Sequence, residues 1–167
     1  VTDDIIIRMA RPADVEGIVA LINEYAAEKI MLARTPASVE LALQDFVVAS
    51  DARGRMLACG ALKEYSPSLA EVASVAVSRE AQGRGLGRHI VQAVEQLAER
   101  RGVEELFALT TTPAFFEAVG YGVSDRARYP EKIRRDCMSC LRRFACPEVC
   151  VTRFVAASHA KRFAAAA

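Results

Sequence analysis

The run Val75-Ala76-Val77-Ser78-Arg79-Glu80-Ala81-Gln82-Gly83-Arg84-Gly85-Leu86-Gly87-Arg88 constrains this chain more than any other. A β-rich stretch enters a short loop and three alternating glycines. Ile90, Val91, Val94, Leu97 and Ala98 then recur at the spacing of one helix face. Strand, glycine turn and amphipathic helix in that order build an anion cradle. Glycines let backbone come close to a ligand, and the unpaired N–H groups and dipole of the first helical turn favour a phosphate oxygen. Arg79, Arg84 and Arg88 add charge around the turn. The spacing is not that of a dinucleotide fingerprint, because Gly83-Arg84-Gly85 is followed three residues later by Arg88. It is not a Walker loop either, since no Lys-Ser/Thr pair follows the second glycine.

The rest of the chain supplies strands and single helices around this unit. Ile5 to Ala10 is predicted as a strand, and Pro12 then opens a helix carrying Val15, Ile18, Val19, Ile22 and Tyr25. Thr35-Pro36 starts a short second helix. Phe46–Ser50 and Met56–Tyr65, joined by the turn Asp51-Ala52-Arg53-Gly54, form a hairpin, and Leu69–Val77 is a buried strand. The long helix ends near Arg100-Arg101-Gly102, basic residues and glycine standing where a helix C-terminus favours them. Leu106–Thr111 is the next strand, Pro113 begins a short helix, and Gly120-Tyr121-Gly122 turns into another extended piece. Pro130–Met138 is predicted helical and Val149–Val155 extended, while the alanines 164–167 receive no structure. The alternation argues an α/β (α+β) fold with a mixed, mostly antiparallel central sheet flanked by helices. No internal repeat or linker interrupts it.

With 167 residues the chain is expected to form one domain, Cys-rich in its segment 130–155. Its 52% hydrophobic and 26% charged residues are those of a globular chain, which excludes disorder as the default. Lys and Arg number 22 against 21 Asp and Glu, a net charge of +1 without the bulk attraction for phosphate backbones that nucleic-acid binding needs. No apolar run is long enough for a membrane span, and Val1-Thr2-Asp3-Asp4 opens on acids rather than on the basic start of a secretory signal, so a cytoplasmic location is expected.

Gln82-x-x-Gly85-x-Gly87 between a strand and a helix resembles the acetyl-CoA pyrophosphate signature of the GNAT acyltransferase superfamily, and the order of elements agrees. The resemblance implies the GNAT acyl-CoA N-acyltransferase fold, with acetyl-CoA as cosubstrate. Amides of Gly83, Arg84, Gly85, Gly87 and Arg88, following Gln82, would hold the pyrophosphate. The pantetheine would lie along Val77 as an added strand, and the Val75 N–H would face the thioester carbonyl. Further stretches resemble one family within it, the short form of N-acetylglutamate synthase. They are Leu21-Ile22-Asn23-Glu24-Tyr25 with Met31-Leu32-Ala33-Arg34-Thr35, Cys59-Gly60-Ala61-Leu62 leading to Leu69-Ala70-Glu71-Val72-Ala73-Ser74, Leu109-Thr110 with Phe115-Phe116 and Gly120-Tyr121, and Pro130-Glu131-Lys132-Ile133. Ala33 replaces the proline usual before the arginine. The length leaves no room for the amino-acid-kinase-like domain of the long synthases, so arginine feedback through that domain is not expected.

That family's reaction sets chemical demands. An α-amino group is protonated at neutral pH and must lose a proton before attacking a thioester, so a base is required. Glu71, in the strand beside the expected acetyl group, is the candidate, acting directly or through a water. Two substrate carboxylates call for cations. Arg34, in the loop after the first helix, can hold one bidentately, and Lys132 or Lys63 can meet the other. Where many superfamily members carry a tyrosine acid, this chain has Phe116, which leaves Thr110, Thr111 or solvent to assist the departing thiolate.

Cys137-x2-Cys140-x5-Cys146-x3-Cys150 offers four thiols, enough by count for structural zinc or an iron–sulfur cluster, although the spacing fits a zinc ribbon poorly. Redox-linked pairing and small unligated thiols are the alternatives. Cys59 reads as core. His89, at the helix start, and His159, in the tail, have no catalytic partner in the sequence. The expected activity is that of an acetyl-CoA:L-glutamate N-acetyltransferase of arginine biosynthesis, working by direct attack in a ternary complex. Its partner would be a small-molecule amino-acid substrate, L-glutamate, with neither nucleic acid nor membrane, and the protein a homodimer. The alternatives are an acetyltransferase for another amino acid or a peptide N-terminus, or a non-catalytic acyl-CoA-binding module.

Overall fold

The computed structural model describes residues 4–155; His159 and the alanine tail lie outside the described residues. Seven strands run in the order β1-β2-β3-β4-β5-β7-β6. They are β1 (Ile6–Met9), β2 (Phe46–Ser50), β3 (Met56–Ser66), β4 (Leu69–Val77), β5 (Glu105–Thr110), β6 (Gly122–Ser124) and β7 (Val149–Phe154). The helices are α1 (Val15–Ala27), α2 (Pro36–Leu41), α3 (Leu86–Arg101), α4 (Pro113–Ala118) and the single turn α5 (Pro130–Lys132). β4 and β5 pair in parallel, whereas β1–β2, β2–β3, β5–β7 and β6–β7 pair antiparallel, so the sheet is mixed as expected. The described chain clusters into two compact units, with β3 and β4 running through both.

The first unit takes the chain up to Lys63 and Val72–Leu97. The expected hairpin is β2–β3, in register from Phe46 opposite Ala61 to Ser50 opposite Met56. α1 buries Val15, Ile18, Leu21, Ile22 and Tyr25 against Phe46, Val48, Cys59, Ala61 and Ala76, and Val39 of α2 joins this core. α2 is short because its start is fixed locally while its end is not. The Thr35 hydroxyl accepts a hydrogen bond from the Ser38 amide (3.2 Å) and the Thr35 amide donates to Ser38 Oγ (3.1 Å), but Leu41 is exposed. α3 turns Leu86, Ile90, Val91, Val94 and Leu97 inward. It crosses β3 at Gly60, where even a methyl group would stand 2.5 Å from Ile90 Cγ2.

The second unit takes Glu64–Glu71 and the chain from Ala98 on. Leu69–Glu71 pairs with Glu105–Phe107, and β5 continues against β7 over its whole length. Phe107 stacks on Tyr129 with ring centroids 4.2 Å apart and meets Tyr65 at 5.5 Å, forming a small aromatic core with Cys150. The helix expected over Pro130–Met138 is instead one α-turn followed by a π-turn, Ile133–Cys137, closed by the Met138 amide on the Ile133 carbonyl at 3.0 Å. Such widened turns recur at functional sites.

Candidate acetyl-transfer site

In the first unit, Gly83 and Gly85 adopt φ of +75° and +77°, and nothing stands within 4 Å of where a side chain would begin at either. These are left-handed conformations that side chains disfavour, and the backbone there borders open space. The His89 amide donates to the Gly85 carbonyl at 3.2 Å, so the amides of Leu86, Gly87 and Arg88 precede the first helical hydrogen bond and stand at the positive end of a sixteen-residue helix. The Ser78 hydroxyl, in a residue 9% exposed, has no hydrogen-bond partner among the described residues. An open glycine turn, leading amides and an unmatched buried hydroxyl fit an anionic, hydrogen-bonding ligand.

Gln82 braces this turn from beneath. Its Nε2 donates to the Tyr25 hydroxyl at 2.8 Å, and Tyr25 in turn donates to the Val77 carbonyl, tying α1 to the end of β4. In the sequence Tyr25 reads as an ordinary core position of α1. Arg79 departs from expectation. It pairs with Glu24 at 3.1 Å and with Glu28, and its guanidinium lies over the Tyr25 ring, so its charge belongs to α1 and not to the turn. Between Glu71 and Val75, Ser74 takes φ of +54°, a left-handed conformation inside a strand, and its carbonyl accepts from the Cys59 thiol. Strain of this kind concentrates at functional sites.

Arg34 is held by its backbone. Asn23 of α1 donates Nδ2 to the Arg34 carbonyl and accepts the Arg34 amide through Oδ1, both at 2.9 Å. The side chain stacks over Phe46 and reaches the Ser38 carbonyl through Nη2 at 3.2 Å, while its buried Nε has no partner among the described residues. A fixed guanidinium with an unmatched buried donor is prepared for an acceptor oxygen. Asn23 lies one helical turn before the end of α1, and only the loop's return to the helix reveals its role. Lys63, the last β3 residue of this unit, is half-buried.

In the second unit, Glu71 is 5% exposed. Its Oε2 accepts from the Tyr65 hydroxyl at 2.9 Å and from Lys132 Nζ at 2.8 Å, and Oε1 has no partner among the described residues. Lys132 also donates to Asp136 Oδ2 at 3.0 Å, the same oxygen that the Tyr65 hydroxyl reaches. Burial opposes the Lys132 charge, but Glu71 and Asp136 outweigh it and hold its pKa above the ordinary lysine value. Burial, then the two carboxylates, push the Tyr65 phenol upward, so it stays protonated. Lys132, expected at a substrate carboxylate, is placed against two carboxylates of the protein itself. In the sequence nothing marks Tyr65 as a site residue, and only the i,i+4 spacing from Lys132 points to Asp136. Thr110 is buried, and its Oγ1 accepts the Thr112 amide at 2.9 Å while meeting the Thr112 hydroxyl at 3.1 Å.

The metal expectation is corrected. Among the described residues no group of three or more His, Cys, Asp or Glu is arranged to hold a metal ion. All five cysteines are unpaired thiols. Cys150 lies on β7 opposite Leu109 and Ser124, packed on Phe107 and Tyr129, and burial pushes its thiol up to about 11. Cys146 is taken up by Arg126 (3.4 Å) and Glu148 (3.5 Å), and Cys137 and Cys140 bracket a turn in which the Cys140 amide meets the Cys137 carbonyl. A strand thiol turned into an aromatic core cannot join a tetrahedral site with loop thiols, so zinc at Cys137, Cys140, Cys146 and Cys150 is not supported.

The chain is similar to several known proteins. The model of the GNAT acetyltransferase family matches residues 21–121. An uncharacterized N-acetyltransferase of Chlorobaculum tepidum is 37% identical over 90% of this chain and 96% of its own length. The amino-acid acetyltransferase of Mycobacterium tuberculosis is 35% identical over 70% of this chain and 67% of its own. Among solved structures, N-acetylglutamate synthase from Neisseria gonorrhoeae, complexed with coenzyme A and N-acetyl-glutamate, matches with a TM-score of 0.82 at 28% identity, over 91% of this chain and 35% of that one. Among the described residues no helix is long and apolar enough to cross a membrane. The chain therefore belongs to the GNAT acetyltransferase family, and it is an acetyl-CoA N-acetyltransferase related to the amino-acid acetyltransferases.

Proposed function

We propose that the protein transfers the acetyl group of acetyl-CoA to the α-amino group of L-glutamate, by direct attack in a ternary complex with Glu71 as general base. The observation that carries this reading is the buried Glu71 carboxylate on β4, four residues before Val75, with one oxygen fixed by Tyr65 and Lys132 and the other unengaged. A base so placed is oriented by one oxygen and can take a proton through the other, directly or by way of a water.

The remaining roles follow from the chemistry of the groups. Amides at Gly83–Arg88 would hold the pyrophosphate of acetyl-CoA, which supplies the activated thioester carbonyl. The Val75 N–H would stabilise the oxyanion as the amine attacks. Arg34 would take a carboxylate of the acceptor through its unmatched Nε. The relatives named amino-acid acetyltransferase, and a solved synthase holding N-acetyl-glutamate, support glutamate as that acceptor. Thr110, already engaged by Thr112, is a weak candidate for acid assistance, and a CoA thiolate leaves without obligatory protonation.

Thiol release from acetyl-CoA across a panel of amino acids tests the substrate. Saturable turnover with L-glutamate, well above glutamine, aspartate and a peptide N-terminus, is the expected outcome. Preference for another amine would replace glutamate and leave the transferase reading intact.

A further inference from the structure

The Tyr65 hydroxyl carries one proton and lies within hydrogen-bond reach of two carboxylate oxygens, Glu71 Oε2 and Asp136 Oδ2, while the Lys132 ammonium bridges the same two oxygens. The two carboxyl groups differ in their access to water. The Glu71 side chain is 6% exposed and that of Asp136 is 26% exposed. A general base takes up one proton per turnover, and a base as enclosed as Glu71 needs a route to discharge it. We propose that Tyr65 and Asp136 are that route, a proton outlet from the buried base to solvent; the proposal rests on the reading of Glu71 as the base.

The step balances within the cluster. Glu71 Oε1 takes the proton of the acceptor ammonium, and a half-turn of the carboxyl group turns the O–H toward Tyr65. The phenolic oxygen accepts that proton as it releases its own to Asp136 Oδ2. Glu71 is then ionised again, Tyr65 is unchanged, and Asp136 is a carboxylic acid that gives its proton to water. Lys132 stays an ammonium throughout, so the cluster passes from a net charge of −1 to 0 and back. The other groups around the base do not compete. Cys150 on β7 is held neutral by burial, and the Arg135 guanidinium lies over the Tyr65 ring at 4.9 Å. Cys137, next to Asp136, is likewise pushed up by burial. Tyr65 and Asp136 act through Glu71 and are positioning residues.

The test compares wild type, Tyr65→Phe, Asp136→Asn, Asp136→Glu and Glu71→Gln, with acetyl-CoA and the best acceptor amino acid, across pH and with rising imidazole. Tyr65→Phe keeps the ring against Phe107, and Asp136→Asn keeps an acceptor for the phenol while losing the ability to take a proton. Both are expected to lower kcat on the order of tenfold or more with KM for acetyl-CoA unchanged. Asp136→Asn is also expected to shift the pH profile and to recover with imidazole, and Asp136→Glu to stay near wild type. The outlet is overturned if Tyr65→Phe and Asp136→Asn keep wild-type kcat and pH profile while Glu71→Gln is inactive, which leaves the base in place. A loss that imidazole does not relieve and that leaves the pH profile unmoved is structural and overturns it equally. If Asp136→Asn does not fold, wild-type kcat in Tyr65→Phe suffices to overturn it. A fully active Glu71→Gln removes the base itself.

Discussion

Arg34 owes its readiness to its surroundings: Asn23 fixes its backbone, Phe46 carries its guanidinium, and Nε is buried without an acceptor among the described residues. Lysine at this position keeps the charge but loses the planar fork. Arg34→Lys is therefore expected to raise the KM for the acceptor about tenfold, a loss of ~1.4 kcal/mol, with kcat and the KM for acetyl-CoA little changed in steady-state kinetics. The cysteines sort by burial in the same way. Cys59 is fully enclosed, its thiol pushed up to about 12, and Cys150 is pushed up to about 11, whereas Cys137, Cys140 and Cys146 are half-buried. Thiol labelling of the native protein at neutral pH should modify those three well before Cys59 and Cys150, and all five only on unfolding. Fast labelling of Cys59 would contradict the packing of β3.

Among elements, α3 against β3 is the contact with the least tolerance. Ile90 is branched and fully buried, so it cannot swing away from a Cβ built at Gly60. Gly60→Ala should cost about 1–3 kcal/mol, read as a drop in melting temperature. Gly85→Ala meets open space, and only its φ of +77° is strained. It should cost about 1–2 kcal/mol in stability while weakening acetyl-CoA binding, because the cradle backbone would relax. Elements with a local signature were legible in the sequence: the β-rich runs and turn of β2–β3, the proline starts of α2 and α4, the helical spacing of α1 and α3. The glycine turn was legible for the same reason, being one continuous stretch. The Glu71 cluster was legible only in part, because Tyr65 and Asp136 stand 71 residues apart and meet through folding. The π-turn that carries Asp136 has no propensity signal of its own. The cysteine run misled because count and spacing say nothing of which thiol a strand turns inward.

At the scale of the molecule, a net charge of +1 conceals local order, since cations such as Arg79 and Arg8 are matched by carboxylates within the protein. Arg8 holds Asp14 through two hydrogen bonds of 2.6 and 3.0 Å, and chiefly for that reason the Asp14 carboxyl lies below its ordinary value of 3.8. A carboxyl lowered on folding adds stability above its unfolded pKa and loses it as pH falls through the folded one. Wild type should therefore exceed Asp14→Asn in thermal stability by a constant margin near neutrality, and the margin should close below about pH 4. A margin that does not shrink as the pH falls below about 4 would contradict this. Glu71→Gln should bind acetyl-CoA as wild type does, seen as an equal ligand-induced rise in melting temperature, and should lose turnover with L-glutamate by about 100-fold or more across neutral pH. Turnover within a few-fold of wild type in that variant, with acetyl-CoA bound, would contradict the account.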